Sequence, residues 1–158
     1  MPRPGRGASE AAGSFPGSSA RAGPGTLTAV GQLNLIDESF LVAAPAEVAR
    51  AVRDPSRWRL WWPDLDLSVF QDRGEHGVRW NVRGALAGSM EVWLEPYGDG
   101  VILHYYLRCD PPPGRAPRPR AVLRELRRRA RHAKRVFWAL KDELEGDRPA
   151  GEPRSPAR

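Results

Sequence analysis

Few side chains in this 158-residue chain are placed to do chemistry. His104, Tyr105 and Glu91 are the candidates for proton transfer, because each falls in a stretch of alternating polarity where a strand would hold it on one face of a sheet. Tyr105 is in phase with Val101, Leu103 and Leu107, so its phenol belongs to the apolar side. A buried hydroxyl there needs a hydrogen-bonding partner, either a core group or a ligand carbonyl. His104, Glu91, Trp93, Tyr106 and Arg108 have the opposite phase. A bulge within residues 84–88, or a slip of one residue, would turn all five inward and make His104 and Glu91 an acid/base pair. No metal site is expected: His76, His104 and His132 lie in unlike settings, and Cys109 has no Cys or His at ligand spacing. G-x-S-x-G, a glycine-rich phosphate loop and a dinucleotide fingerprint are all missing, so hydrolase, kinase and dehydrogenase readings lose support, and no cofactor is expected.

The aromatic residues point to binding. Trp58, Trp61 and Trp62, three of six tryptophans, cluster just before Pro63, where such rings plug the end of a sheet or line a ligand entrance. Trp80 and Val82 alternate with Arg79, Asn81 and Arg83 in the clearest period-two signal of the chain, and Met90 begins another alternating run.

These residues require elements to position them. Residues 33–43 read as a strand ending before Pro45, 46–52 and 56–62 as two short helices separated at Asp54-Pro55, and 67–72 as a strand. Residues 78–83, 90–95 and 101–108 complete a meander, the last two joined through Gly98-Asp99-Gly100. A proline-rich loop over 110–119 leads to a helix of about 28 residues with a stripe of Leu123, Leu126, Ala130, Ala133, Phe137, Leu140 and Leu144. The expected class is α+β: a curved antiparallel sheet of about five strands, up to seven, wrapped on one long C-terminal helix, with two short helices after the first strand. The stripe narrows to Ala130 and Ala133, which leaves room facing the sheet. Trp62, Trp80, Val82, Met90, Tyr105, Ala130, Ala133 and Phe137 are therefore the expected lining of a hydrophobic cavity.

Composition divides the chain into a disordered tail over 1–28, one domain over 29–146 and a second tail over 147–158, since Pro, Gly, Ala, Ser and Arg dominate both ends. The first tail has no run of about seven apolar residues, so no secretory signal is expected, and no segment reaches the length of a membrane span. A single cysteine fits a reducing cytoplasm. The net charge of +6 is unevenly spread: residues 31–110 hold eight Arg against twelve acids, whereas 111–145 hold eleven Lys plus Arg against four. Arg124, Arg128, Arg131 and Arg135 fall opposite the apolar stripe, as a solvated face does. With Arg outnumbering Lys 23 to 2, the preference for Arg reflects GC-rich coding.

The order of strand, helix pair, meander and long final helix resembles the helix-grip fold of the START-like (SRPBCC) superfamily. Its members include plant pathogenesis-related lipid-binding proteins, coenzyme Q-binding proteins and proteins labelled polyketide cyclase/dehydrase. Ala43-Ala44-Pro45-Ala46-Glu47-Val48, Asp54-Pro55-Ser56-Arg57-Trp58 and Trp61-Trp62-Pro63 carry the resemblance at the opening. Further on, residues 84–95 (GALAGSMEVWLE), His104-Tyr105-Tyr106 and residues 134–145 (KRVFWALKDELE) are similar to the small bacterial polyketide cyclase and lipid-transport branch. The resemblance spans residues 32–145. It implies seven strands where about five are legible here, and a missing hairpin would shrink or open the cavity and bare an edge for dimerisation. It also implies a function, the binding, transport or sequestration of a lipid, an isoprenoid or a polyketide-like compound. The alternative is an aromatase/cyclase acting on a poly-β-ketone intermediate, with Tyr105 or His104 as proton donor or acceptor. A third reading is an interaction module using the arginine-rich helix face. The expected partner is a hydrophobic small molecule, with no nucleic acid, at most a weak contact with an anionic surface, and a monomer or homodimer.

Overall fold

The computed structural model describes residues 33–112 and 118–154; the expected first tail, residues 113–117 of the proline-rich loop and the end of the second tail lie outside them. The chain runs β1 (Leu33–Leu41), α1 (Pro45–Arg53), α2 (Pro55–Trp61), β2 (Leu65–Asp72), β3 (Gly77–Gly84), β4 (Ala87–Tyr97), β5 (Gly100–Asp110) and α3 (Pro119–Glu145). All three helices start with proline, which has no N–H to leave unsatisfied in a first turn. At α2, Asp54 also caps the helix by accepting from the Ser56 backbone N–H at 2.9 Å.

Five strands pair antiparallel in the order β1-β5-β4-β3-β2, and this curved sheet carries α3 across its inner face. Among the described residues no sixth or seventh strand is present, so the lower end of the expected range holds. The β4–β5 hairpin closes through two residues, Gly98 and Asp99, with Gly98 at φ 57°, a conformation that costs glycine little. Gly88 answers to close approach: a Cβ there would lie 2.2 Å from the Arg108 carbonyl oxygen across the same ladder. The bulge or one-residue slip that would have turned His104 and Glu91 inward does not occur. Both the β3–β4 and β4–β5 ladders run in uniform register, and the bulge sits instead in β2, at Phe70.

The helix is turned slightly from the expected stripe. Leu123 is exposed and Ala130 half-buried, while Val122, Leu126, Arg129, Ala133, Val136, Phe137, Leu140 and Leu144 face the sheet. The two lysines of the chain then serve β1, which is an edge strand. Lys134 donates to the Glu38 carbonyl and Lys141 to the Phe40 carbonyl, both at 2.9 Å, and the Glu145 carboxylate accepts from the Val42 N–H at 2.8 Å. Side chains of α3 thus occupy edge groups that another strand would otherwise pair with. Residues following α3 also touch the domain: Arg148 pairs with Glu145 at 2.8 Å, and the Arg154 N–H reaches Asp99 at 3.1 Å.

Candidate functional site

Period-two alternation in β3, β4 and β5 sends Trp80, Val82, Met90 and Tyr105 to the inner face, where α3 adds Ala133 and Phe137 and the end of α2 adds Trp62. These seven residues join one continuous core, whereas Ala130, half-buried, is not among the residues packed on it. Their rings are in contact. Trp62 stacks on Tyr105 at 6.2 Å and 7°, Tyr105 meets Phe137 edge-on at 5.3 Å, and Trp80 meets Trp58 edge-on at 5.4 Å and Trp62 at 6.0 Å. Distances of this kind are ordinary for packed aromatic pairs. Ala133 is buried in this same core, at 1% exposure. Ala133→Leu should accordingly lower stability by about 1 to 3 kcal/mol through overpacking, read as a fall in Tm. An unchanged Tm would instead reveal unfilled volume at this position.

The hydrogen bonding of the cluster is less complete than its packing. Trp58 donates from Nε1 to the Val52 carbonyl at 2.8 Å. Trp80 is fully buried, yet among the described residues its Nε1 has no partner. The Tyr105 hydroxyl donates to the Met90 thioether sulfur, at 3.4 Å, a weak acceptor, and the Trp62 side chain hydrogen-bonds to its oxygen. Burial raises the Tyr105 pKa well above the ordinary phenol value, with the positive charge of Arg129 opposing. Cys109, at the outer end of β5, is likewise pushed up by burial, to about 11. Both groups are therefore neutral at pH 7.

One end of the cluster is closed by ions. Arg129 is only 3% exposed, although it is charged. It donates to both carboxylate oxygens of Asp64, at 2.9 and 2.6 Å, and to Glu125 at 2.8 Å; Arg128 reaches the same two carboxylates. Asp64 belongs to the loop between α2 and β2, whose backbone is tied to the β3–β4 turn by the Ala85 N–H. One turn further along α3, the His132 ring meets the Trp61 carbonyl. The middle of α3 is thus clasped to the segment 61–64 directly beside Trp62.

His104 and Glu91 lie on the outer face and do not meet. Glu91 pairs with Arg73 at 2.8 Å and Arg79 at 3.1 Å. The two ring nitrogens of His104 each sit 3.0 Å from a carboxylate oxygen, Nδ1 from Glu38 and Nε2 from Glu95, and its ring stacks on Trp93 at 4.5 Å. Glu38, His104 and Glu95 come from β1, β5 and β4, so this group crosslinks three strands. A groove of about 420 Å³ on this face is bordered by Arg73, Arg79, Trp93, Tyr106 and Arg108. Among the described residues no group of three His, Cys, Asp or Glu could hold a metal ion, and no helix is long and apolar enough to cross a membrane.

Sequence reading missed Arg129 and Asp64. A basic residue on a stripe carries no signal of burial by itself. The available hint was that Arg129 falls four residues before Ala133 on the same helix face, in step with Phe137 and Leu140.

No protein-family model and no curated protein matches the sequence. Solved structures do share its fold. A START superfamily protein from Mycobacterium smegmatis superposes with a TM-score of 0.55 at 11% identity, over 70% of this chain and 98% of that one. An Aha1 dimer protein from Colwellia psychrerythraea gives 0.53 at 13% identity, over 73% and 98%. The protein DR_A0006 from Deinococcus radiodurans gives 0.53 at 13%, over 71% and 96%. At these identities the likeness is one of architecture, and the chain has the START-like helix-grip fold.

Proposed function

We propose that this START-like domain binds a hydrophobic small molecule that carries a hydrogen-bond acceptor, seated among Trp62, Trp80, Val82, Met90, Tyr105, Ala130, Ala133 and Phe137. The observation that carries the reading is a pair of under-used donors in an aromatic interior: the Trp80 N–H, partnerless among the described residues, and the Tyr105 O–H, whose one acceptor is a thioether. A buried donor without an acceptor costs about 1 to 3 kcal/mol. A ligand carbonyl or ether oxygen would recover that cost, while the rings desolvate the remainder of the molecule. Because the rings are in mutual contact, binding requires them to part, and the Arg129–Asp64 clasp beside Trp62 is where α3 would separate from the segment 61–64. A lipid, an isoprenoid or a polyketide-like compound meets these requirements.

Binding is favoured over the aromatase/cyclase alternative by the titratable groups. Tyr105 is the one such group in the ring cluster, and its burial holds the proton on at neutral pH. His104 and Glu91, on the outer face, are each engaged with other partners.

Tyr105→Phe tests the reading. It keeps the ring that packs on Trp62 and Phe137 but removes an oxygen to which the Trp62 side chain also hydrogen-bonds, so stability should fall by about 1 kcal/mol. Affinity for an apolar fluorescent ketone should fall about five- to tenfold, the loss of roughly one hydrogen bond. Unchanged affinity in the folded variant would remove Tyr105 from the binding site. Native mass spectrometry of protein purified from its own cells would identify a retained ligand directly.

A further inference from the structure

We infer that the outward face of α3 is a docking surface for an anionic lipid bilayer. Arg120, Arg124, Arg127, Arg131 and Arg135 recur at steps of four, three, four and four. At 100° per residue they occupy an arc of about 80°, and Trp138 falls inside the same arc, so the line runs about 27 Å along the helix. Arg120, Arg124, Arg127 and Arg131 are exposed and, among the described residues, have no ion pair or hydrogen bond; Arg135 reaches only the His132 ring, at 3.4 Å. The one acidic side chain close by on the first half of the helix, Glu125, is held by Arg128 and Arg129 instead.

Such a line opposes the stability of the free protein. Like charges three and four residues apart on a helix repel, and neither a core contact nor a carboxylate offsets that here. Two large apolar side chains share this exposed side: Trp138 is 60% exposed, and Leu123, on the flank of the arc, is 52% exposed. Both the repulsion and the apolar exposure are relieved by one kind of partner, a surface with a dense negative charge above an apolar layer. Arginines would meet the headgroup phosphates, while the indole of Trp138 would settle at the headgroup level. A single tryptophan at the end of the line also suits a bilayer better than a nucleic acid strand, whose readers stack successive bases on several rings. The buried face of α3 need not leave the sheet, because the docking side chains already point outward. The charge belongs to this face rather than to the whole molecule, since residues 31–110 are net acidic.

The test is co-sedimentation of the full chain at about 100 mM salt with phosphatidylcholine vesicles, with and without about one third phosphatidylglycerol. The parent should partition onto the anionic vesicles and not onto phosphatidylcholine alone. Arg124→Gln/Arg127→Gln/Arg131→Gln should weaken that partitioning at least about tenfold, because each of the three arginines adds to the attraction of an anionic surface. Arg50→Gln/Arg59→Gln/Arg83→Gln removes equal charge from other exposed positions and should change it by less than about twofold. Brominated lipid should quench the fluorescence of the parent, and Trp138→Phe should abolish most of the quenching. Failure to bind anionic vesicles overturns the proposal, as do equal losses in the two triple variants or quenching that persists in Trp138→Phe. Tighter binding of a DNA duplex than of the anionic vesicles at the same salt would replace the bilayer with nucleic acid as the partner and overturn it too.

Discussion

Trp80→Ala should lower the unfolding free energy by about 3 to 5 kcal/mol, the usual range for truncating a large ring in a core. Trp80 is wholly buried, opposes Met90 and Val69 across its neighbouring strands, and touches both Trp58 and Trp62. Trp80→Phe should cost well under half as much. It retains most of the ring contact and removes the N–H that has no partner, so relief of an unsatisfied donor offsets part of the lost volume. Urea denaturation of the two variants gives the comparison. The alanine variant also probes the proposed function, because a dry aromatic-lined cavity accepts an aromatic guest. Millimolar indole should restore part of the stability lost in Trp80→Ala and leave the parent unchanged. If indole stabilises neither protein, the surrounding rings have collapsed into the space, and an interior that closes so readily would not retain a ligand there.

Trp80 and Tyr105 were legible from sequence for the same reason: strict alternation in β3 and β5 assigns them to the face shared by Val78, Val82, Leu103 and Leu107, and the ladders keep that phase without a bulge. The opposite phase of His104 and Glu91 was legible in the same way. The partners of those two residues were not, because Glu38 and Arg73 reach them from strands and loops that sequence spacing does not relate to them. The bulge at Phe70 carried no mark either, as β2 has no glycine there. On α3 the helical period gave Ala133, Phe137 and Leu140 correctly, but it chose Leu123 over Val122. Hydrophobicity favours leucine, whereas the rotation of the helix is set by contacts with β1, including the reach of Lys134 and Lys141 to its carbonyls. Arg129 shows the limit most clearly. Its burial depends on Asp64, 65 residues away, and long-range neutralisation of a charge leaves no periodic trace.

Removing that distant carboxylate should be more damaging than removing the arginine. Asp64→Ala is expected to cost about 2 to 4 kcal/mol at pH 7, because it leaves a buried guanidinium with Glu125 as its remaining counter-charge. Arg129→Met should cost less. The stranded groups in that case are Asp64 and Glu125, about a third exposed, which turn to water, while the methionine fills the apolar part of the space. The double variant should match Arg129→Met alone, since the aspartate has lost its main partner already. Acidity supplies a second readout. Burial pushes the Asp64 pKa up, but the hydrogen bonds from Arg129 and Arg128 outweigh it and hold the carboxyl below its ordinary range. Glu125 is lowered chiefly by the Arg128 hydrogen bond, against its own burial. A carboxylate with a lowered folded-state pKa contributes fully above its unfolded value, about 4, and the contribution disappears as pH falls through the folded value. The stability curves of the parent and Asp64→Ala should therefore lie apart at neutral pH and converge below about pH 4. Curves that stay parallel to pH 2 would show that the aspartate acts through packing and not through its charge. If the clasp governs access to the rings beside it, Asp64→Ala should also admit an apolar probe faster at pH 7, and the parent should approach that rate as it is acidified.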